Sequence, residues 1–95
     1  MTDRAAEQRH TVHFAGRVQG VGFRYTVEQI AGQFPVTGYV QNLPDGRVLL
    51  VMEGAKSDLD ALIDRVGVVM QTNIDSLNSA EGEVTGEFAD FQIRF

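Results

Sequence analysis

The chain has 95 residues, 43% of them hydrophobic, enough for one compact domain with a single core and too few for two. With no cysteine and only two histidines, a disulfide framework, a thiolate metal centre and a zinc site are not expected. Thirteen acidic residues against eight basic ones give a formal charge of -5, the wrong sign for gripping a nucleic-acid backbone, and no segment is apolar for long enough to span a bilayer.

Residues 1–9, MTDRAAEQR, carry no apolar run of the kind a secretory leader needs. A flexible tail is expected there, ahead of a single domain over 10–95 in a cytoplasmic protein without membrane or nucleic-acid partners. His10 to Ala15 alternates, with Val12 and Phe14 on one parity and Thr11 and His13 on the other, as a strand with one buried face does. Both histidines are assigned to the strand surface. From Phe23 onward Val27, Ile30, Ala31 and Phe34 recur at helical spacing until Gly32 to Pro35 ends the pattern. Val36 to Asn42 and Arg47 to Glu53 read as strands joined by the turn Leu43-Pro44-Asp45-Gly46. Ser57-Asp58-Leu59-Asp60 resembles a capping box opening a second helix, which Gly67 is expected to stop. Asp58, Asp60 and Asp64 make its wet face. Ile74 to Ala80 and Phe91 to Phe95 complete the strands, while 68–73 and 81–90 show no assignable pattern.

The order β-α-β-β-α-β plus a short fifth strand predicts a ferredoxin-like α/β sandwich, an antiparallel sheet with two helices on one face. In that arrangement the first two strands both flank the third, so they run parallel and end at the same edge. The segment after the first strand and Asn42 at the end of the second then lie roughly 10 Å apart, two strand spacings.

That first segment is Gly16-Arg17-Val18-Gln19-Gly20-Val21-Gly22-Phe23-Arg24. Its glycines alone are a weak signal, equally at home in an ordinary turn. No Gly-Lys-Ser/Thr sequence opens the helix as in a P-loop, and the chain is too short for a dinucleotide-binding domain. An RNA-recognition sheet carries aromatics on its third strand, where this chain has Val48-Leu49-Leu50-Val51. Arg24 is the informative residue. A cation in the first helical turn opposes the helix dipole, so an anion is expected to compensate it. Arg17 and Arg47 are assigned as rim charges, and Asn42 by itself is most simply a turn-former.

Together with Gly38-Tyr39-Val40-Gln41-Asn42-Leu43-Pro44-Asp45-Gly46-Arg47-Val48, Glu53-Gly54 and the end Thr85-Gly86-Glu87-Phe88 and Phe91-Gln92-Ile93-Arg94-Phe95, this segment resembles the acylphosphatases. The likeness covers roughly residues 10 to 95. It departs at Val68 to Asn73, where many members carry a proline-containing approach to the fourth strand. The resemblance implies hydrolysis of the carboxyl-phosphate bond of acyl phosphates without metal or other cofactor. It implies that Arg24 binds the phosphoryl group, that Asn42 orients the attacking water, and that backbone amides of Gln19, Gly20, Val21, Gly22, Phe23 and Arg24 cradle the phosphate. Inorganic phosphate is then both product and competitive ligand, and a monomer is expected. The alternative is a non-catalytic anion-binding or maturation-partner module of the same fold.

Overall fold

The computed structural model describes residues 7–95. Strand β1 (Glu7–Gly16) leads to helix α1 (Phe23–Ala31), the hairpin of β2 (Thr37–Asn42) and β3 (Val48–Ala55), helix α2 (Lys56–Val69), β4 (Ile74–Gly82) and β5 (Phe91–Arg94). Of the tail expected over 1–9, residues 1–6 lie outside the described ones. Glu7, Gln8 and Arg9 belong to β1, where they pair with Ala55, Gly54 and Glu53.

The sheet has five strands in the order β4-β1-β3-β2-β5. Its first four strands pair antiparallel, as the sandwich requires, but β5 runs parallel to β2, so the sheet is mixed. A long return through 83–90 carries the chain back to the start of β2, and the direction of β5 follows. The core lies between sheet and helices. Val12, Phe14, Val40, Val48, Leu50 and Met52 meet Phe23, Val27 and Ile30 of α1 and Leu59, Leu62 and Val66 of α2. Among the described residues no helix is long and apolar enough to cross a membrane.

Three local expectations are corrected. His10 shares parity with Val12 and Phe14 and is buried with them; its Nε2 donates to Gln8 Oε1 at 3.0 Å. Helix α2 starts a residue before Ser57, with Ala55 extended at the N-cap position and no side-chain cap. Gly67 does not stop it: nothing lies within 4 Å of where its Cβ would be, and the chain stays helical to Val69. The buried stripe Leu59, Leu62, Val66 and Met70 outweighs the glycine's propensity penalty of about 1 kcal/mol.

The return through 83–90 is pinned by one buried carboxylate. Glu53 accepts from the backbone N–H of Thr85 and Gly86, each at 2.9 Å, from the Thr85 hydroxyl at 2.8 Å and from Arg9 Nη1 at 3.2 Å. Burial pulls the Glu53 carboxyl upward, but these donors outweigh it and hold it below the usual carboxylate range. A carboxyl depressed in the folded state stabilises the fold above its unfolded pKa of about 4.3 and loses that contribution as the pH falls through the folded value. Glu53→Gln should therefore lower the unfolding free energy at pH 7 by about 1 to 3 kcal/mol. The gap to wild type should narrow steadily in acid. Denaturant unfolding of both proteins from pH 7 to pH 3 measures this, and a pH-independent gap would discard the charge-based account.

Candidate active site

β1 and β2 both pair with β3, and both ladders end at Val48, through Phe14 on one side and Asn42 on the other. The loop that follows β1 and the end of β2 thus meet at one sheet edge. Two side chains brace that loop. Where the β1 register shifts at Gly16, the Arg17 N–H donates to Asn73 O at 2.9 Å and Asn73 Nδ2 returns a bond to Arg17 O at 3.0 Å. Further on, Gln19 Nε2 donates to Leu43 O at 2.8 Å and Arg47 O at 3.0 Å, tying the loop to the hairpin turn. That turn is itself closed by Leu43 N–H to Arg47 O and by Asp45, whose carboxylate takes both the backbone N–H and Nε of Arg47.

Gly20 and Gly22 hold φ at 74° and 78°, the left-handed region that side-chain-bearing residues avoid. With Gly22 as N-cap, α1 begins without any side-chain cap, and its first hydrogen bond is Thr26 N–H to Gly22 O. Among the described residues, no backbone carbonyl or side chain accepts from the N–H groups of Gly20 to Arg24. Unpaired donors at a helix start are groups that an anion can accept from. Phe23 fixes the helix start by packing on Phe14, ring centroids 5.1 Å apart, in the core.

A cavity of about 110 Å³ lies over this edge, lined by Val18, Gly20, Gly22, Phe23, Arg24, Tyr25 and Asn42. It unites Arg24 and Asn42, eighteen positions apart in the chain, with the glycine loop. No carboxylate lines it, so a local excess of donors and one guanidinium faces the cavity of an otherwise acidic protein. The expected cradle is one of backbone amides, and two of its side chains turn elsewhere: that of Gln19 to the hairpin and that of Val21 to solvent. Asn42 closes β2 and lines the cavity. Its Oδ1 is buried without a hydrogen-bond partner among the described residues, leaving an acceptor open on the cavity side.

Arg24 is held by the end of the edge strand β5 and the residue after it. Its Nη1 donates to Arg94 O at 3.2 Å and its guanidinium lies 4.7 Å from the Phe95 ring centroid. Arg94 in turn stacks over Tyr39 of β2 at 3.7 Å. These supports escaped the sequence reading. The run Phe91 to Phe95 is an alternating strand like any other, and only its parallel seat beside β2 brings it to Arg24. For Gln19 the sequence holds no signal, because its partners are backbone carbonyls of a distant turn. Arg47, engaged with Asp45, keeps its assignment to the rim. No group of three His, Cys, Asp or Glu side chains among the described residues is arranged to hold a metal ion.

The sequence profile of the acylphosphatase family matches residues 10–93. An acylphosphatase from Geotalea uraniireducens is 43% identical over 89 residues, which cover 92% of this chain and 97% of that one. Among solved structures, an acylphosphatase from Bacillus subtilis superposes with a TM-score of 0.83 at 28% identity, covering 93% of this chain and 99% of that one. HypF from T. kodakarensis superposes with a TM-score of 0.79 at 31% identity, covering 93% of this chain but 12% of the larger one.

Proposed function

The chain belongs to the acylphosphatase family and is an acyl phosphate hydrolase; we propose that Arg24, Asn42 and the backbone amides of Gln19 to Arg24 carry that reaction. The observation that carries this assignment is the buried, unpartnered Oδ1 of Asn42 in the same cavity as Arg24 and the free loop amides. An acceptor with no protein donor is suited to a water molecule, which brings two.

In this reading the phosphoryl oxygens take the loop amides and the Arg24 guanidinium, whose planar fork suits two of them at once. The Asn42 Oδ1 accepts a hydrogen bond from the attacking water and so turns the water's lone pair toward phosphorus, and the Asn42 amide hydrogens face the anion. The water oxygen bonds to phosphorus as the bond from phosphorus to the carboxyl oxygen breaks, and that electron pair leaves with the carboxylate. Both water protons stay with the phosphoryl oxygens, so an acyl phosphate dianion and water become a carboxylate and dihydrogen phosphate. The leaving group's conjugate acid has a pKa of about 4, so it departs without a protein acid. Phosphoryl transfer then needs positioning and charge stabilisation, which these groups supply. All of them come from one chain, so a monomer suffices. The non-catalytic module is disfavoured by the near-complete coverage of stand-alone acylphosphatases.

Purified protein should release phosphate from benzoyl phosphate or acetyl phosphate at the same rate with and without EDTA, because no step above uses a metal. Inorganic phosphate should compete with substrate for the same amides. Loss of activity on chelation with recovery on adding magnesium or zinc would reject the mechanism, and lack of competition at high phosphate would reject the pocket.

A further inference from the structure

The cavity fits only part of an acyl phosphate. Its volume is about 110 Å³ and it opens to solvent, so it has room for a phosphoryl group and the attacking water. With the phosphoryl group seated as proposed above, the acyl group has to lie outside the mouth.

What surrounds the mouth is apolar. Six large hydrophobic side chains of the described residues are exposed; Val68, Val69 and Leu77 belong to α2 and β4, and the other three gather here. Val21, 39% exposed, stands between Gly20 and Gly22 of the cavity wall; Tyr25, 61% exposed, lines the cavity itself; Phe95, 87% exposed, underlies Arg24. The fold does not ask for an aromatic at position 25. Tyr25 lies off the buried stripe Phe23, Val27, Ile30 and Ala31, and among the described residues it makes neither a hydrogen bond nor a ring-to-ring contact. Scattered single apolar residues are ordinary on a surface, but here Tyr25 lines the cavity, Val21 sits between two of its glycines and Phe95 touches its arginine.

We propose that Val21, Tyr25 and Phe95 form an apolar shelf that receives the acyl group, so that the enzyme selects acyl phosphates whose acyl group is aromatic or bulky and apolar. The selection rests on the phosphate placement argued in the previous subsection. A ring laid on Tyr25 removes apolar surface of both partners from water, whereas an acetyl group is too short to reach past the mouth.

The test compares benzoyl phosphate with acetyl phosphate in wild type, Tyr25→Ser and Tyr25→Phe, with the inhibition constant of inorganic phosphate measured in each. Tyr25→Ser should lose about two- to tenfold in kcat/KM for benzoyl phosphate, chiefly through KM. Because Tyr25 also lines the phosphate cavity, the variant's losses on acetyl phosphate and in phosphate inhibition are expected to be smaller than its loss on benzoyl phosphate, so that the ratio of the two kcat/KM values falls. Tyr25→Phe should retain the wild-type preference. Equal losses on both substrates, or an unchanged constant for benzoyl phosphate, overturn the shelf while leaving the phosphate pocket in place. Failure of phosphate to inhibit wild type overturns the pocket itself, and the shelf falls with it.

Discussion

Arg24→Ala should lower kcat by on the order of 10³ to 10⁵, the usual cost of removing an arginine that meets the charge of a phosphoryl transition state. It should also weaken inhibition by phosphate, because the guanidinium contributes to ground-state binding as well. The folded structure should survive. Arg24 sits at the surface end of α1, and its contacts are one carbonyl, Arg94 O, and one exposed ring, Phe95. Arg24→Lys should recover little of the loss: an ammonium is a point charge that cannot present two coplanar donors to phosphate while a further edge stays on Arg94 O. Steady-state kinetics with circular dichroism as a control on folding decide the matter. Wild-type turnover in either variant would move the chemistry away from the glycine loop.

Asn42→Ala is expected to separate catalysis from binding. Its Oδ1 acts on the water and less on the phosphate, so kcat should fall by on the order of 10² to 10³, as when one polar group aimed at a transition state is removed. The inhibition constant of phosphate should change far less, the pattern of an interaction made chiefly in the transition state. Stability offers a second readout. The Oδ1 has no protein partner among the described residues, so no hydrogen bond within the fold goes with it and the unfolding free energy should stay within about 1 kcal/mol of wild type. Asn42→Asp should fail as a catalyst too, since a carboxylate there replaces donors with a charge that repels the phosphoryl group. A folded Asn42→Ala protein with near-normal kcat would return Asn42 to the status of a turn residue and leave the water to some other group.

The sequence was most legible where the causes are local. The spacing of Phe23, Val27 and Ile30 is that of a buried helical stripe, and the turn at Pro44-Asp45-Gly46 joins β2 to β3, because both patterns arise within one or two turns of chain. Element order then brought the loop and Asn42 to one edge, as the shared pairing with Val48 bears out. His10 was misassigned although its parity with Val12 and Phe14 was visible, because polarity was weighted above position in the strand. The start of α2 was misplaced because packing of Leu59, Leu62 and Val66 decides it and no cap does. Nothing local marks the clasp of Glu53 on Thr85 and Gly86 or the seat of Arg24 on Arg94 and Phe95. Those contacts join segments far apart in sequence, and residues 83–90 carry no periodicity to announce them.

The parallel seat of β5 sets the order in which activity arrives during folding. Hairpins and helices close over short loops within microseconds, whereas a strand returning from the far end of the chain must first meet the entropy of a long loop closure. The register Gly38 to Phe91 joins segments far apart in the chain and is expected to form after the local β2–β3 hairpin. Until then Arg24 lacks its carbonyl rest and its aromatic floor, and samples rotamers that a fixed phosphate cannot use. Regain of turnover after dilution from denaturant therefore reports the last docking event, while helical ellipticity reports the earlier closures.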